Sequence, residues 1–331
     1  MKKHNGKRII LWGGIFLLLL ILSACSDSGG SAADVQVEEE ESETGVQSEV
    51  LAEESERTIQ YTTTNGEKVE IPANPERVIY LGATLGDFLV MNIPVVGNNL
   101  VHASGKFYEG KTEGIIDVGN PGDLELMMTL EPDLIVNSYH QDADRNEALS
   151  KIAPTVPFNS ALPYRERIIE IGNIFGQQEE AAGWIAKFEA QSQDMWDKLQ
   201  LAEGETATVF LQLGKTFYVM GNRSLGAIIY EEDGFAIPPA VQEHIIDEGQ
   251  TFLAISEELL PEYAADHLFV LVLGNDESQT EADRMLQSPL WGTLPAVQKG
   301  NVYIESADWN TDGLLALEQL LEELPQWMQR P

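Results

Sequence analysis

The sequence holds a single cysteine, Cys25, among 331 residues. A lone thiol excludes an intramolecular disulfide and a thiolate metal site. Basic residues are scarce too: 20 Lys and Arg stand against 54 Asp and Glu, a formal net charge of −34. Such a field repels a phosphate backbone and excludes nucleic acid as a partner. It also means that an anionic ligand would have to be met by locally gathered cations. The Gly-x-Ser-x-Gly elbow, the Walker phosphate loop and the Gly-x-Gly-x-x-Gly turn are all missing, and with them the usual marks of a hydrolase, an NTPase or a dinucleotide enzyme. Neither an enzyme activity nor a resident cofactor is expected. The histidines His102, His140, His244 and His267 form no close-spaced pair, whereas a zinc or manganese site needs three or four ligands converging on one ion. Direct metal binding is not expected.

What is present begins with a leader. Lys2, Lys3, Lys7 and Arg8 precede an apolar run of 14 residues from Ile9 to Leu22. A permanent membrane span needs about 20 apolar residues, so this run has the length of a signal-peptide core. It closes on Leu22-Ser23-Ala24-Cys25, which resembles a bacterial lipobox and implies a lipidated Cys25 at the mature N-terminus. The expected location is the outer face of the cell membrane. Residues 26–56 carry 11 acidic residues and no basic one. A segment so charged buries too little apolar surface to offset its ordering entropy, so a disordered tether is expected.

Residues 57–331 exceed what one hydrophobic core usually serves, which predicts two lobes. Asn65-Gly66 supplies a hairpin turn between Tyr61 and Ile71. Beyond it, short apolar runs at Arg77–Leu81, Asp133–Asn137, Thr155–Phe158, Thr206–Leu213, Phe217–Met220, His267–Leu273 and Asn301–Ile304 alternate with helical spacing. Strands alternating with helices predict a parallel α/β sheet. Between Gln178 and Leu201 apolar residues recur at three-to-four spacing without a proline, predicting one long helix. The expected organisation is a leader (1–25), a tether (26–56), an N-terminal α/β lobe (57–176), a linking helix (177–202) and a C-terminal α/β lobe (203–331).

Several motifs along this order carry a family resemblance. They are Ile71-Pro72-x-x-Pro75-x-Arg77-Val78, Val118-Gly119-x-Pro121-Gly122-Asp123-Leu124-Glu125, Leu130-x-Pro132-Asp133-Leu134-Ile135 and Ile171-Gly172-x-x-Phe175-Gly176. A longer one follows at Pro289-Leu-Trp291-x-x-Leu294-x-Ala296-Val297-x-x-Gly300-Asn-Val-Tyr303. Together they resemble the helical-backbone class of ABC-transporter substrate-binding lipoproteins, in its iron–siderophore branch. The resemblance implies an α/β fold of two Rossmann-like lobes joined by a single long helix, with the ligand cleft between them. It also implies a monomer that binds a ferric siderophore and serves an ABC permease. A haem or cobalamin binder of the same fold, or a sensor that does not transport, is the alternative.

A ferric siderophore is a saturated octahedral complex, so the protein supplies aromatic faces and hydrogen-bond donors rather than metal ligands. Arginine suits the second task through its charged planar fork. Strand-end loops at Gly82–Thr84, Val101–Lys111, Ser138–His140, Tyr164–Arg165, Gly214–Lys215, Gly221–Ser224, Gly274–Asn275 and Asp308–Asn310 are expected to line the cleft. The candidate ligand residues are Arg223, Arg165, Tyr139, Trp309, Phe217, Tyr218 and His140. Arg165 either meets ligand or pairs with Glu166 or Glu170. Phe217 and Tyr218 alternate in a strand, so only one of them can face the cleft. Arg223→Ala is expected to weaken binding without changing stability. The resemblance further places permease-docking carboxylates at Glu125 and Glu258; both also suit the first turn of a helix, where acids complement the macrodipole.

Overall fold

A computed structural model describes residues 57–63, 66–103, 105–139 and 143–329. The leader with Cys25, the tether, Asn65 of the hairpin turn and His140 lie outside the described residues. All described residues fall within one unit of the chain, 47–331, and among the described residues no helix is long and apolar enough to cross a membrane.

The hairpin is present as β1 (Thr58–Thr62) antiparallel to β2 (Lys68–Pro72). Its inward face holds Tyr61 and Ile71, and the Tyr61 hydroxyl donates to the Glu170 carboxylate. The N-terminal lobe follows with β3 (Val78–Leu81), α1 (Leu85–Val90), β4 (Val95–Asn98), β5 (Ile116–Asp117), α2 (Leu124–Thr129), β6 (Leu134–Asn137), α3 (Ala143–Ser150), β7 (Thr155–Pro157) and α4 (Tyr164–Phe175). Its sheet has the order β5-β4-β3-β6-β7 and every pair is parallel. Each residue of β3 and β6 is buried, because helices cover both faces of a parallel sheet and leave no solvent side to mark with polar residues. That is why Val-Ile-Tyr-Leu and Leu-Ile-Val-Asn are unbroken runs.

Gly176 ends α4 in the left-handed conformation, at φ 67°, which glycine adopts without steric cost. The linking helix α5 (Gln178–Leu199) follows at once. Its 22 residues give a rod of about 33 Å. Ala181, Phe188, Met195 and Trp196 form its buried stripe, and Trp184 stacks on Phe188 at 5.0 Å. Glu179 and Glu180 lie in its first turn and Lys198 in its last, the arrangement that complements the helix dipole.

The C-terminal lobe contains β8 (Ala207–Leu213), β9 (Thr216–Met220), α6 (Leu225–Ile229), β10 (Phe252–Ile255), β11 (His267–Val272), α7 (Asp276–Leu286), β12 (Val302–Ser306) and α8 (Leu314–Met328). The order is β10-β9-β8-β11-β12, with β8, β11 and β12 parallel. Two features depart from the sequence expectation of parallel strands. β9 runs antiparallel to β8 across the tight Gly214-Lys215 turn, and β10, unanticipated, adds an antiparallel edge to β9. A short turn can only reverse the chain, whereas a parallel neighbour needs a long crossover. The segment Glu257–Tyr263 is a 3-10 helix with Pro261 inside it. A proline there removes an amide donor and favours the tighter form.

Candidate functional site

The two lobes face each other across a cleft with two cavities. The larger, of about 610 Å3, has Ala161, Tyr164, Arg165 and Arg167 of the N-terminal lobe on one wall. Asn222, Arg223, Glu231 and Gln250 of the C-terminal lobe stand opposite. The smaller, of about 260 Å3, lies between Ala83, Thr84, Val101 and His102 on one side and Asp308, Asn310 and Thr311 on the other. Asp312 is on the wall of both.

Asp312 is the hub of this cleft. Its carboxylate accepts from Arg223 (Nε at 3.1 Å, and Nη2), from the Ser224 backbone N–H at 2.7 Å and from the Ser224 hydroxyl at 3.2 Å. Its carbonyl accepts from Arg167 Nη2 at 2.5 Å. Burial works to raise the Asp312 carboxyl, but the hydrogen bond and charge of Arg223 hold it below the usual carboxylate value. Ser224 sits at φ 54°, a conformation that costs a residue with a side chain about 1–3 kcal/mol. The two bonds to Asp312 hold it there.

Arg223 also reaches the opposite lobe. Its Nη1 donates to the Ala161 carbonyl at 2.7 Å and its Nη2 to the Ser160 carbonyl at 3.2 Å. Arg165 donates to Glu189 of the linking helix at 2.6 Å, lies 3.8 Å from Glu231, and rests over the Tyr164 ring. Its partners are therefore neither Glu166 nor Glu170: α4 packs beside α5, so the nearer carboxylates come from the neighbouring helix and from the loop after α6. Glu231 is itself a joint, accepting from Tyr164 at 2.9 Å and from Ser192 of α5.

The remaining candidates separate. Phe217 is buried and stacked on Phe210 at 4.9 Å, in the core cluster on the far face of the C-terminal sheet. It is scaffold, because β9 is covered on that face. Tyr218 points to the other face, half-buried, with its ring against Phe252 at 5.1 Å; neither residue is on the wall of the two cleft cavities. Trp309 is 2 % exposed, wedged between Phe107 at 4.8 Å and Trp327 at 5.2 Å with the Lys106 ammonium over its ring at 3.9 Å. Closing of the loop after β12 onto the opposite lobe buries it, so it supports the cleft floor and offers no open face. Tyr139 follows β6, and its hydroxyl accepts from Asn99 at 2.8 Å; it lies on the wall of neither cleft cavity. His102 lines the smaller cavity, whereas His244 meets Tyr263 and His267 meets Glu205 and Tyr303 elsewhere in the C-terminal lobe.

The strand-end loops divide in the same way. Those after β3, β4 and β9, the start of α4 and the loop after β12 face the cleft. Gly214–Lys215 and Gly274–Asn275 do not: the Gly214 amide donates to Ser278, Asn275 caps α7, and Lys215 pairs with Glu277. That end of the sheet is closed by α7. Asp312 and Glu231 went unanticipated, and Asn222 was foreseen only as part of the loop Gly221–Ser224. The first stands just before an apolar helix, where an acid is ordinarily a cap, and only the tertiary contact with Arg223 gives it another role.

Glu125 is exposed in the first turn of α2, and Glu258 is exposed at the start of the 3-10 helix, its carboxyl lowered by a hydrogen bond from Ser256.

The family model of the periplasmic binding proteins matches residues 94–308, which include the linking helix, the whole C-terminal sheet and all of the N-terminal sheet but β3. The chain belongs to the periplasmic binding protein family. It is 32 % identical over 295 residues to the iron(3+)-hydroxamate-binding protein FhuD of Bacillus subtilis, covering 87 % of this chain and 86 % of the relative. It is 30 % identical over 312 residues to the iron(3+)-hydroxamate-binding protein YxeB of the same organism, covering 91 % and 90 %. Among solved structures, a FhuD fold-family binding protein of a ferrichrome ABC transporter from Bacillus subtilis superposes with a TM-score of 0.68 at 30 % identity, covering 82 % of this chain and 100 % of that one. As a member of this family, the chain is a two-lobed solute-binding protein.

Proposed function

We propose that this chain captures a ferric siderophore at the outer face of the membrane and hands it to the permease of an ABC importer. The observation that carries the reading is the cavity of about 610 Å3 between the lobes, with Arg165, Arg223, Asn222 and Gln250 on its walls. Its size suits a ligand of several hundred daltons, and its donors suit the oxygen shell of a coordinated ferric ion. The named roles of the relatives in iron(3+)-hydroxamate binding support the same ligand class. The work is capture and release, without chemical turnover, by a monomer. The lipobox sequence supports anchoring through Cys25, and exposed Glu125 and Glu258, one on each lobe, are the proposed permease contacts.

Intrinsic tryptophan fluorescence of the full-length chain in detergent tests this, titrated with ferric hydroxamates, ferric catecholates, ferric citrate, haem and cobalamin. Saturable quenching by a ferric siderophore and not by its iron-free form is expected. Quenching by haem or cobalamin alone would replace the ligand and leave the fold. No response to any of them would overturn the reading.

A further inference from the structure

In a protein this acidic, the arginines of the cleft would be the natural attraction for an anion, yet none of them is free. Arg223 has five N–H hydrogens and spends four, two on the Asp312 carboxylate and one each on the Ala161 and Ser160 carbonyls. Arg167 spends two on Asp87 and one each on the Leu162 and Asp312 carbonyls. Arg165 is held by Glu189 and Glu231. Against these three arginines, the walls of the two cavities carry four carboxylates: Glu231, Glu232, Asp308 and Asp312. Lys106 is drawn onto the Trp309 ring beside Asp308. The cleft therefore offers donors without offering net positive charge.

We infer that Asp312 is the specificity-determining counter-charge of Arg223, and that it restricts the cleft to ferric complexes of zero or positive net charge. This rests on the siderophore reading above and narrows it. A neutral or cationic complex can accept the remaining Arg223 hydrogen and the amide donors of Asn222 and Gln250 at a carbonyl oxygen, while Asp312 stays paired. An anionic complex meets a guanidinium whose charge is already cancelled by Asp312, further carboxylates on the walls of the two cavities and a strongly negative protein. In a site of reduced dielectric, like charges brought close together weaken binding, and they set which partner is refused. Asp312 does two further things that keep the pair closed: its carboxylate fixes Ser224 at its positive φ, and its carbonyl is tied to buried Arg167. Arg223 is therefore built into its partnership with Asp312 and does not wait as an open receptor for a carboxylate ligand.

The test is a calorimetric titration of the full-length chain in detergent at low ionic strength with four probes. These are uncharged ferrichrome, cationic ferrioxamine B, anionic ferric citrate and anionic ferric enterobactin. The wild-type chain should bind at least one of the first two at least about tenfold more tightly than either anion, a ratio equivalent to about 1.4 kcal/mol. Asp312→Asn, which keeps the shape and part of the hydrogen bonding, should narrow that ratio by about tenfold, with the gain on the anionic side. The wild-type comparison needs no variant, so it decides the matter even where Asp312→Asn folds poorly. Tighter binding of ferric citrate or ferric enterobactin by the wild type would overturn the charge assignment and leave the siderophore reading standing. An equal gain for all four probes in Asp312→Asn would make Asp312 a plug rather than a selector and would also overturn it. Failure of all four to bind would overturn the siderophore reading itself.

Discussion

Arg167 of α4 and Asp87 of α1 meet at 2.6 Å with side chains 2 % and 0 % exposed, and Asp87 also accepts the Leu314 amide at 3.0 Å. One ion pair thus joins the N-terminal lobe to the first turn of the last helix. Burial alone would lower the Arg167 guanidinium; the adjacent Asp87 charge more than offsets it, and the group stays charged.

Removing one member of such a pair leaves a buried charge uncompensated, at a cost of about 3–5 kcal/mol. Arg167→Met should therefore lower the unfolding free energy measured by urea titration by that amount. The double variant Asp87→Leu/Arg167→Met should recover only part of it, because the Leu314 amide and the Asp312 and Leu162 carbonyls lose their partners too. Full recovery would mean that the pair acts alone.

Arg223→Ala should weaken ligand binding by about tenfold or more, the worth of a charge-assisted hydrogen bond. The sequence alone suggested no change in stability, but the clamp between Asp312, Ala161 and Ser160 predicts a loss of about 1–3 kcal/mol. Differential scanning calorimetry of the unliganded chain distinguishes the two.

Glu231→Ala removes the acceptor shared by Tyr164 and Ser192. Burial first, and then the Glu231 charge, push the Tyr164 phenol well above its ordinary range. A loss of about 1–3 kcal/mol is expected, with α4 and α5 showing faster amide exchange where they meet the C-terminal lobe. Exchange unchanged there would remove Glu231 as a joint.

The Asp266 carboxyl is lowered to about 2 by the hydrogen bond from Lys299 and those from Thr206. A depressed carboxyl contributes stability that is full above its unfolded value of 3.8 and is lost as pH falls toward the folded value. Unfolding free energy should therefore decline between about pH 4 and pH 2. Since the group is about a third exposed, its share is on the order of 1 kcal/mol. Asp266→Asn should flatten this limb of the profile; an unaltered slope would assign the acid sensitivity to other carboxyls.

Glu125→Ala/Glu258→Ala should bind ligand with wild-type affinity yet fail to support uptake of radiolabelled ferric siderophore by cells. Unimpaired uptake would remove these residues from permease docking.

The strands and the linking helix were legible because their determinants are local. Val78–Leu81, Leu134–Asn137 and His267–Val272 are continuous apolar runs, and α5 carries a regular apolar stripe ending where Gln200 turns left-handed at φ 51°. β10 was not legible: Phe252–Ile255 is half-exposed and is a strand only because β9 lies beside it. Trp309 and Phe217 illustrate the limit for site residues. Both are large aromatics next to cleft loops, but exposure is decided by what packs against them, here Phe107 and Lys106 for one and Phe210 for the other.

The sequence by itself determined the class of the molecule: an acidic, cysteine-poor chain with a lipobox-like leader and two α/β lobes on one long helix. Composition and periodicity suffice for that because charge, apolar spacing and turn residues act over a few positions. Only the tertiary structure decided what the arginines are for. Arg223 and Asp312 are 89 positions apart and Asp87 and Leu314 are 227 apart, and no local rule couples residues so distant. Whether a guanidinium is a free receptor or one half of an ion pair depends on which carboxylate the fold brings to it.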